Sequence, residues 1–229
     1  MKRGRKPSID AADITRAAIA IADAEGLAAV SMARVAQELG NATMALYRHV
    51  KSKDELLALM SDSAMEDPPV LPAGGWRERL WFWAKAVLEG ISRHPWFPQI
   101  PISGPPVGPH SLAWFDAGLG ALDGTPLEPG EKVGVVMGLM TFVHGEARLR
   151  IALTRGFQED PAAFNGRYGK VLRELVDGKK MPALAAVVDA GVFDVDDLFD
   201  VEDVAAEFDF GLHLFLEGVA AHIASKGSA

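Results

Sequence analysis

Two neighbouring stretches of sequence decide the fold: VSMARVAQELG at residues 30–40 and ALYRHVKSKDELL at residues 45–57. In the first, Ser31 can cap a helix that the closing glycine ends. A second short helix is predicted to begin near residues 41–43 and to run to about His49. Two short helices around a break that holds a glycine are typical of a helix-turn-helix, whose second helix enters the major groove of DNA. The sequence therefore predicts a DNA-binding module.

One further helix is predicted on each side of this pair. Upstream, Asp10 and Asp13 have the D-x-x-D form of an N-cap with an acidic first turn, and Gly26 ends the helix. The apolar stripe of that helix consists of Ile14, Ala17, Ala18, Ile21 and Ala22. Downstream, Ser52 and Glu55 form an S-x-x-E capping box for a fourth helix. This helix continues through Leu56, Leu57 and Met60.

The second helix of the pair carries side chains that suit a DNA surface. Ala42, Thr43 and Ala45 are small, so a base edge or a phosphate can come close, and the Thr43 methyl group can touch a thymine methyl group. Polar tips follow at the end of this helix, on Tyr47, Arg48 and His49. Tyr47 could instead pack in the core, and His49 could be a solvated loop residue.

Lys51 and Lys53 lie beside the start of the fourth helix, where the helix dipole disfavours cations. Two lysines at that place suggest that an anion is expected there, and helix N-termini are themselves phosphate sites. The alternative is that both are ordinary surface charges.

Charge is distributed unevenly along the chain, whose net charge is −8. Residues 1–53 hold nine basic and five acidic side chains, a net charge of +4, whereas the remaining 14 basic and 26 acidic side chains give −12. A short basic segment joined to an acidic remainder is typical of a small polyanion-binding module, although chance asymmetry with a basic tail is the alternative.

The two quoted stretches, with their spacings, resemble the TetR family of bacterial repressors over about residues 9–60. The resemblance implies an all-helical homodimer in which Ala42, Thr43 and Met44 face bases. It also implies that Tyr47, His49 and Lys53 hold phosphates and that Arg34 lies near the groove wall. The complete set of predicted DNA-contacting residues is Arg5, Ser31, Arg34, Ala42, Thr43, Met44, Tyr47, Arg48, His49, Lys51 and Lys53.

Arg5 enters this set through the segment Gly4-Arg5-Lys6-Pro7, which resembles the core of arms that place an arginine in a narrow minor groove. A tail without a DNA contact is the alternative.

The remainder of the chain is predicted to be helical after a proline-rich connection at residues 67–75. Helices are expected at about 76–94, 110–122, 126–155 and 201–225. Residues 98–109 contain five prolines and form a loop that could gate a pocket or merely cross the surface. We therefore expect an all-α fold with an N-terminal three-helix helix-turn-helix domain at residues 1–54. A larger helical-bundle domain for ligand binding and dimerisation would occupy residues 55–229.

Glycines inside the two long helices point to a close approach by another helix, because each costs about 1 kcal/mol in a helix interior. They are Gly134, Gly138, Gly145, Gly211 and Gly218. In the resembling family two late helices of each subunit form the four-helix dimer interface, so we expect a homodimer through residues 130–155 and 201–225. Packing within one chain is the alternative.

The same region resembles the C-terminal domain of the tetracycline-repressor branch through WRERL at residues 76–80, HPW at 94–96 and VGP at 107–109. That resemblance implies a cavity for a small-molecule inducer, which we expect to be apolar or aromatic. The predicted lining residues are Trp83, Trp96, Phe97, Trp114, Met137, Met140, His144, Arg148, Phe164 and Tyr168. His144 and Arg148 would supply polar groups, although all ten residues could instead be plain core or structural partners.

Several function classes are disfavoured by the sequence. It has no cysteine, no apolar run long enough to span a membrane and no signal peptide, which fits a cytoplasmic protein. It also lacks the common catalytic and nucleotide-binding motifs. An acidic cluster at residues 194–200 fits a solvated loop better than a cation site, so neither a metal nor another cofactor is expected.

We predict a ligand-responsive repressor that binds a palindromic operator as a homodimer and is released by a small molecule. The alternative is a helical ligand-binding protein or an enzyme that retains the N-terminal helices without specific DNA binding. A third possibility is a transcriptional activator.

Overall fold

The computed structural model describes residues 9–101, 107–159, 167–193 and 201–226, and every regular element in these ranges is helical. The fold is therefore all-α, as the sequence predicts. The α-helices are α1 (Ala11–Glu25), α2 (Met32–Glu38), α3 (Thr43–Leu46), α4 (Lys53–Met65), α5 (Trp76–Ser92), α6 (Pro109–Ala121), α7 (Pro129–Glu159), α8 (Arg167–Leu175), α9 (Pro182–Asp189) and α10 (Val201–Lys226). Short 3-10 turns lie at Leu27–Ala29 and Phe97–Gln99.

Side-chain caps start the first two of these helices as predicted. Asp10 accepts a hydrogen bond from the backbone of Asp13, and Asp13 returns the contact, which completes a capping box. Ser31 caps α2 by accepting from the N–H of Arg34 at 3.1 Å. These contacts satisfy N–H groups that a helix N-terminus leaves without partners.

The predicted capping box at the start of α4 is only half correct. The Ser52 hydroxyl accepts from the N–H of Glu55 at 3.0 Å, as expected. The Glu55 carboxylate, however, accepts from the N–H of Lys51 at 2.6 Å rather than from that of Ser52. The Glu55 carboxylate thus bonds to the residue before the one that the motif predicts, and this contact holds the segment that precedes α4.

The helix-turn-helix is shorter than the sequence predicts. The helix α2 ends at Glu38 rather than at the glycine, because the N–H of Gly40 bonds to Gln37 and the chain turns through Gly40 with a φ of +61°. The helix α3 has four residues and is followed by a tight turn in which the N–H groups of His49 and Val50 both donate to Leu46. Tightening this turn brings Val50 into the buried core.

The head, by which we mean residues 9–66, has an apolar core of its own. Its fully buried side chains are Ile14, Ala18, Val30, Val35, Leu46, Val50, Leu56 and Met60. The helix α1 packs against α4 and α2, while α2 packs against α3. Truncating one of the larger of these side chains to alanine typically costs about 2–5 kcal/mol of stability. The core therefore fixes the orientation of α3 on the surface of the head.

Close packing joins α5, α6 and α7. Leu80, Trp83, Val87 and Ile91 form the buried stripe of α5. Gly118 of α6 makes this approach possible, since a Cβ there would lie 3.0 Å from both the Trp83 ring and Val136. The Trp83 indole N–H donates to the carbonyl oxygen of Trp114 at 3.0 Å, so the polar atom of this buried ring is satisfied.

The chain forms two compact units. The first comprises residues 1–147 with 223–229, and the second comprises residues 148–222. In the second, α8 packs against α9, and the rings of Tyr168 and Phe193 meet edge to face with centroids 5.6 Å apart. A domain boundary after residue 54 stays a prediction. No described helix is long and apolar enough to cross a membrane.

Candidate nucleic-acid interface

Two basic side chains of the described head are neutralised by neighbouring carboxylates. Arg16 pairs with Asp13 on the surface of α1. The Arg34 guanidinium lies 2.8 Å from Glu38 and 2.6 Å from Glu25. Hydrogen bonds to Glu38 and then Glu25 raise the pKa of Arg34 above its usual value. Arg34 therefore joins α2 to the end of α1, and its predicted place beside a DNA groove is still a prediction.

The other basic residues of the described head have exposed side chains without an ion pair in the described part of the chain. They are Arg48, Lys51 and Lys53. All three lie within seven residues of the end of α3, along the turn that leads into α4. The unneutralised positive charge of the described head is thus concentrated beside the predicted recognition helix, where it can attract phosphates.

The helix α3 presents a large apolar side chain to solvent. Met44 is 72% exposed and Tyr47 is 43% exposed, whereas Leu46 on the opposite side is completely buried. Ala42 precedes the helix as an exposed N-cap residue without a side-chain hydrogen bond, and Thr43 is half-buried. Anchored through Leu46, the helix holds its other face toward solvent.

The remaining predicted DNA-contacting residues divide between exposed and undescribed positions. Ser31 is exposed, but its hydroxyl oxygen already caps α2. His49 is exposed in the turn after α3. Arg5 lies outside the described residues, so the predicted minor-groove arm has no structural description. No observation tests any of these DNA contacts, and they stay predictions.

The head is tied to α6 by the most buried carboxylate among the described residues. Asp62 of α4 is 9% exposed and accepts from both the N–H and the hydroxyl of Ser111 at 2.8 Å. The N–H of His110 lies 3.5 Å from the second carboxylate oxygen. Since α6 begins at Pro109, Asp62 caps α6 from a different helix.

A tryptophan reinforces the link between α4 and α6. The indole N–H of Trp114 is shared between the carbonyl oxygens of Met65 and Glu66, at 3.2 and 3.1 Å. The His110 ring also pairs with Asp67, at 3.0 Å between Nδ1 and the carboxylate. The C-terminal end of α4 is therefore hydrogen-bonded to the first two turns of α6.

A second link joins α1 of the head to the segment after α5. One carboxylate oxygen of Asp23 accepts from the indole N–H of Trp96 at 2.6 Å and lies 2.8 Å from Nδ1 of His94. Trp96 is buried, so its N–H needs this acceptor. The head is thus hydrogen-bonded to the rest of the first unit through α1 as well as through α4.

Comparison with known proteins identifies the family to which this architecture belongs. A family model for bacterial regulatory proteins of the tetR family matches residues 14–60. A model for the tetracyclin repressor-like C-terminal domain matches residues 68–223. The chain belongs to the TetR family. Both resemblances found in the sequence are thereby confirmed, and the chain is a transcriptional regulator by family.

Named relatives agree with this TetR-family assignment. The HTH-type transcriptional repressor DrrR1 of Streptomyces coeruleorubidus is 33% identical, over 98% of this chain and 82% of its own length. An HTH-type transcriptional regulator of Saccharopolyspora erythraea is 29% identical over 47% of each chain. Among solved structures, ActR of Streptomyces coelicolor in complex with actinorhodin has a TM-score of 0.79 and 26% identity, and the match covers 95% of this chain and 98% of ActR.

In the TetR-family C-terminal region, the structure brings some predicted ligand-lining residues together. Phe97 lies between Trp96 and His144, with ring centroids 6.3 and 5.9 Å away. Desolvation by burial lowers the pKa of His144, so its imidazole is neutral near pH 7. Trp83 and Trp114 are buried with their indole N–H groups bonded to carbonyl oxygens. Both tryptophans are thus buried side chains, and their predicted place in a ligand cavity stays a prediction.

Other predicted lining residues lie elsewhere. Met137 is 46% exposed on α7, and Met140 on the same helix is half-buried. Arg148 and Tyr168 belong to the second unit and are exposed, while Phe164 lies outside the described residues. In the described part of the chain, an open groove of about 530 Å³ runs along α1 and the end of α2. None of the ten predicted residues lines this groove. The ligand set stays a prediction.

Two residues that shape this site have no role in the sequence-based prediction. No sequence pattern marked Asp23 as a contact residue, because it lies on the polar face of α1. Asp62 gave a weak signal, since a short carboxylate in a helix interior is disfavoured unless it has a partner. Its partner lies 49 residues away in the sequence, so only the folded chain reveals it.

Proposed function

We propose that this chain is a ligand-responsive repressor that binds a palindromic operator as a homodimer and is released by a small molecule. The observation that carries the proposal is the arrangement of charge in the head. The cations beside α3 have no carboxylate partner in the described part of the chain, whereas Arg16 and Arg34 do. Phosphates would supply the missing anions, and α3 would enter the major groove between them.

The charge of the rest of the chain supports this orientation. Residues 54–229 have a net charge of −12, against +4 for residues 1–53. A polyanion therefore attracts the first segment and is repelled by the second. Such a distribution steers the recognition helix toward DNA first.

Homodimerisation is supported by exposed stripes on two long helices. On α7 the exposed positions follow a spacing of 3, 4, 4, 3 and 4 residues: Gly134, Met137, Thr141, Gly145, Arg148 and Ala152. On α10 they follow the same spacing: Glu207, Phe210, Leu214, Gly218, Ala221 and Ser225. This spacing keeps all six positions on one face of a straight helix. Each helix thus exposes one continuous stripe rich in small and apolar residues.

The glycines in these stripes support a second copy as the partner. A Cβ placed at Gly134, Gly145 or Gly218 would meet no described atom of this chain within 4 Å. Packing within one chain therefore gives no reason for these glycines among the described residues. A helix of another subunit does give one, since small residues let helix axes approach closely. Phe210 is 66% exposed and Leu214 is 55% exposed, which a dimer interface would bury.

An apolar or aromatic inducer is supported by the surroundings of His144. The neutral imidazole lies edge to face against Phe97 and has no hydrogen-bond partner in the described part of the chain. It can therefore offer a donor or an acceptor to a ligand beside an aromatic wall. ActR, which is 26% identical, was crystallised with actinorhodin. We propose that this chain likewise binds a small molecule, of apolar or aromatic character.

The test is operator binding by the purified full-length chain, measured on the DNA upstream of its own coding sequence over a series of salt concentrations. Lys53→Ala and Tyr47→Ala should each bind the operator more weakly than the wild type. Loss of the Lys53 phosphate contact should also lower the magnitude of the salt slope by about 0.9. Arg16→Ala is the matched control, because this head cation is already paired with Asp13. Absence of any specific complex at low salt would overturn the proposed function.

A further inference from the structure

The head exposes an apolar pair where its surface is most positive. Among the described residues of the head, the large apolar side chains that are substantially exposed are Met44 and Tyr47. They lie three positions apart on and just after α3, so they are neighbours on one helical face. Arg48, Lys51 and Lys53 follow directly in the sequence.

Packing inside the head does not explain the exposure of Met44. Leu46 anchors α3 in the core and is completely buried, while Met44 leaves 72% of its surface in water. Two residues apart on a helix, these side chains point in nearly opposite directions. Met44 therefore contributes little to the fold of the head, and its apolar surface is available to a partner.

The chemistry of methionine narrows what that partner can offer. Its thioether has no hydrogen-bond donor and only a weak acceptor, so it cannot bind phosphates or polar base edges as the neighbouring cations do. It is flexible and polarisable, and it suits contact with apolar groups of irregular shape. In the major groove of DNA the apolar group presented by a base is the C5 methyl group of thymine.

We propose that Met44 contacts a thymine methyl group in each half-site of the operator, with the Tyr47 ring beside it, and so selects thymine at that position. The inference rests on the proposed function, since it requires α3 to lie in the major groove. The three cations would hold the helix in place through sequence-independent phosphate contacts, and Met44 would add discrimination between bases. Half-buried Thr43 is the competing methyl reader on the same helix.

The test removes one methyl group at a time from the DNA. In an operator selected by the wild-type protein, each thymine is replaced in turn by deoxyuridine, which lacks the C5 methyl group and keeps the same base-pairing groups. Dissociation constants are measured by fluorescence anisotropy at fixed salt for the wild type, Met44→Ala and Thr43→Ser. At one thymine per half-site we expect deoxyuridine to weaken wild-type binding by roughly fourfold, the scale of one buried methyl group.

The Met44→Ala protein should bind the unmodified operator less tightly and should lose the response to deoxyuridine at that same position. Thr43→Ser, which removes a methyl group from the neighbouring side chain, should retain it. The salt slope of Met44→Ala should equal that of the wild type, because no phosphate contact is lost. Its melting temperature should also be unchanged, since the side chain is exposed.

Two outcomes overturn the inference. In one, no thymine responds to deoxyuridine; in the other, Met44→Ala responds as strongly as the wild type. Either can occur while the wild type binds its operator specifically, so the proposed function would survive. Failure of the wild type to select any DNA sequence would overturn the proposed function itself.

Discussion

Replacing Asp62 by alanine should destabilise the folded chain more than the same substitution at an exposed position of α4. The carboxylate is 9% exposed and accepts from the N–H and the hydroxyl of Ser111, both at 2.8 Å. Alanine leaves these donors without their acceptor and removes the negative charge at the N-terminus of α6. It also leaves space beside Gly108, where an added Cβ would overlap the Asp62 carboxylate.

The magnitude follows from these contacts. A hydrogen bond to a charged group contributes about 1.5–3 kcal/mol, and loss of a helix N-cap costs about 0.5–2 kcal/mol. These values describe overlapping contacts and cannot be added in full, and the Ser111 hydroxyl can turn to another acceptor. We therefore expect Asp62→Ala to lower the free energy of unfolding by about 3 kcal/mol. Asp62→Asn keeps an acceptor oxygen without the charge, so it should cost about 1 kcal/mol.

The assay is urea unfolding at one fixed protein concentration, because the stability of the proposed homodimer would depend on concentration. Ser63→Ala is the matched control on the next residue of α4, whose side chain is exposed; it should change stability by less than about 0.5 kcal/mol. The reasoning is refuted if Asp62→Ala costs no more than Ser63→Ala, or if Asp62→Asn is as damaging as Asp62→Ala.

Three further predictions concern other contacts of the chain. Trp96→Phe keeps a buried ring but removes the donor to Asp23; it should cost about 1 kcal/mol in urea unfolding, and Asp23→Asn should cost less in the Trp96→Phe protein than in the wild type, whereas fully additive losses would contradict a shared contact. Phe210→Glu on the exposed stripe of α10 should shift sedimentation velocity from dimer toward monomer at micromolar concentration, whereas Ala58→Glu, at an exposed position of α4 in the head, should not; equal behaviour of the two would count against the proposed interface. Burial lowers the pKa of His144, so the imidazole is protonated in the unfolded chain before it is protonated in the folded one as the pH falls below about 6.5. The melting temperature should therefore decrease between pH 7.5 and 5.5, and it should decrease less for His144→Phe than for the wild type. An identical decrease for the two proteins would contradict this prediction.

Short-range patterns predicted much of the head. The caps at Asp10, Ser31 and Ser52 involve partners three residues away, so their signals are contained in a few consecutive letters. The order of the first four helices follows from the same patterns. Even here the ends were less predictable, since α2 and α3 stop where packing of the following residues requires a turn.

Contacts between distant parts of the chain decided what these patterns left open. Arg34 and Lys53 are both basic residues of the head, yet only Arg34 has carboxylate partners in the described part of the chain, and one of them is nine residues away on α1. Likewise Asp62 meets Ser111 across 49 residues, and Asp23 meets Trp96 across 73. No local spacing indicates such pairs.

By itself, the sequence determined the helical class, the family and the segment that carries the recognition helix, because periodicity and capping act over one or two turns. The tertiary structure decided which cations of the described head keep their charge for a partner, and which side chain of α3 stays in solvent. Both depend on how helices pack against one another, since packing brings Glu25 of α1 to Arg34 and buries Leu46 while it leaves Met44 exposed.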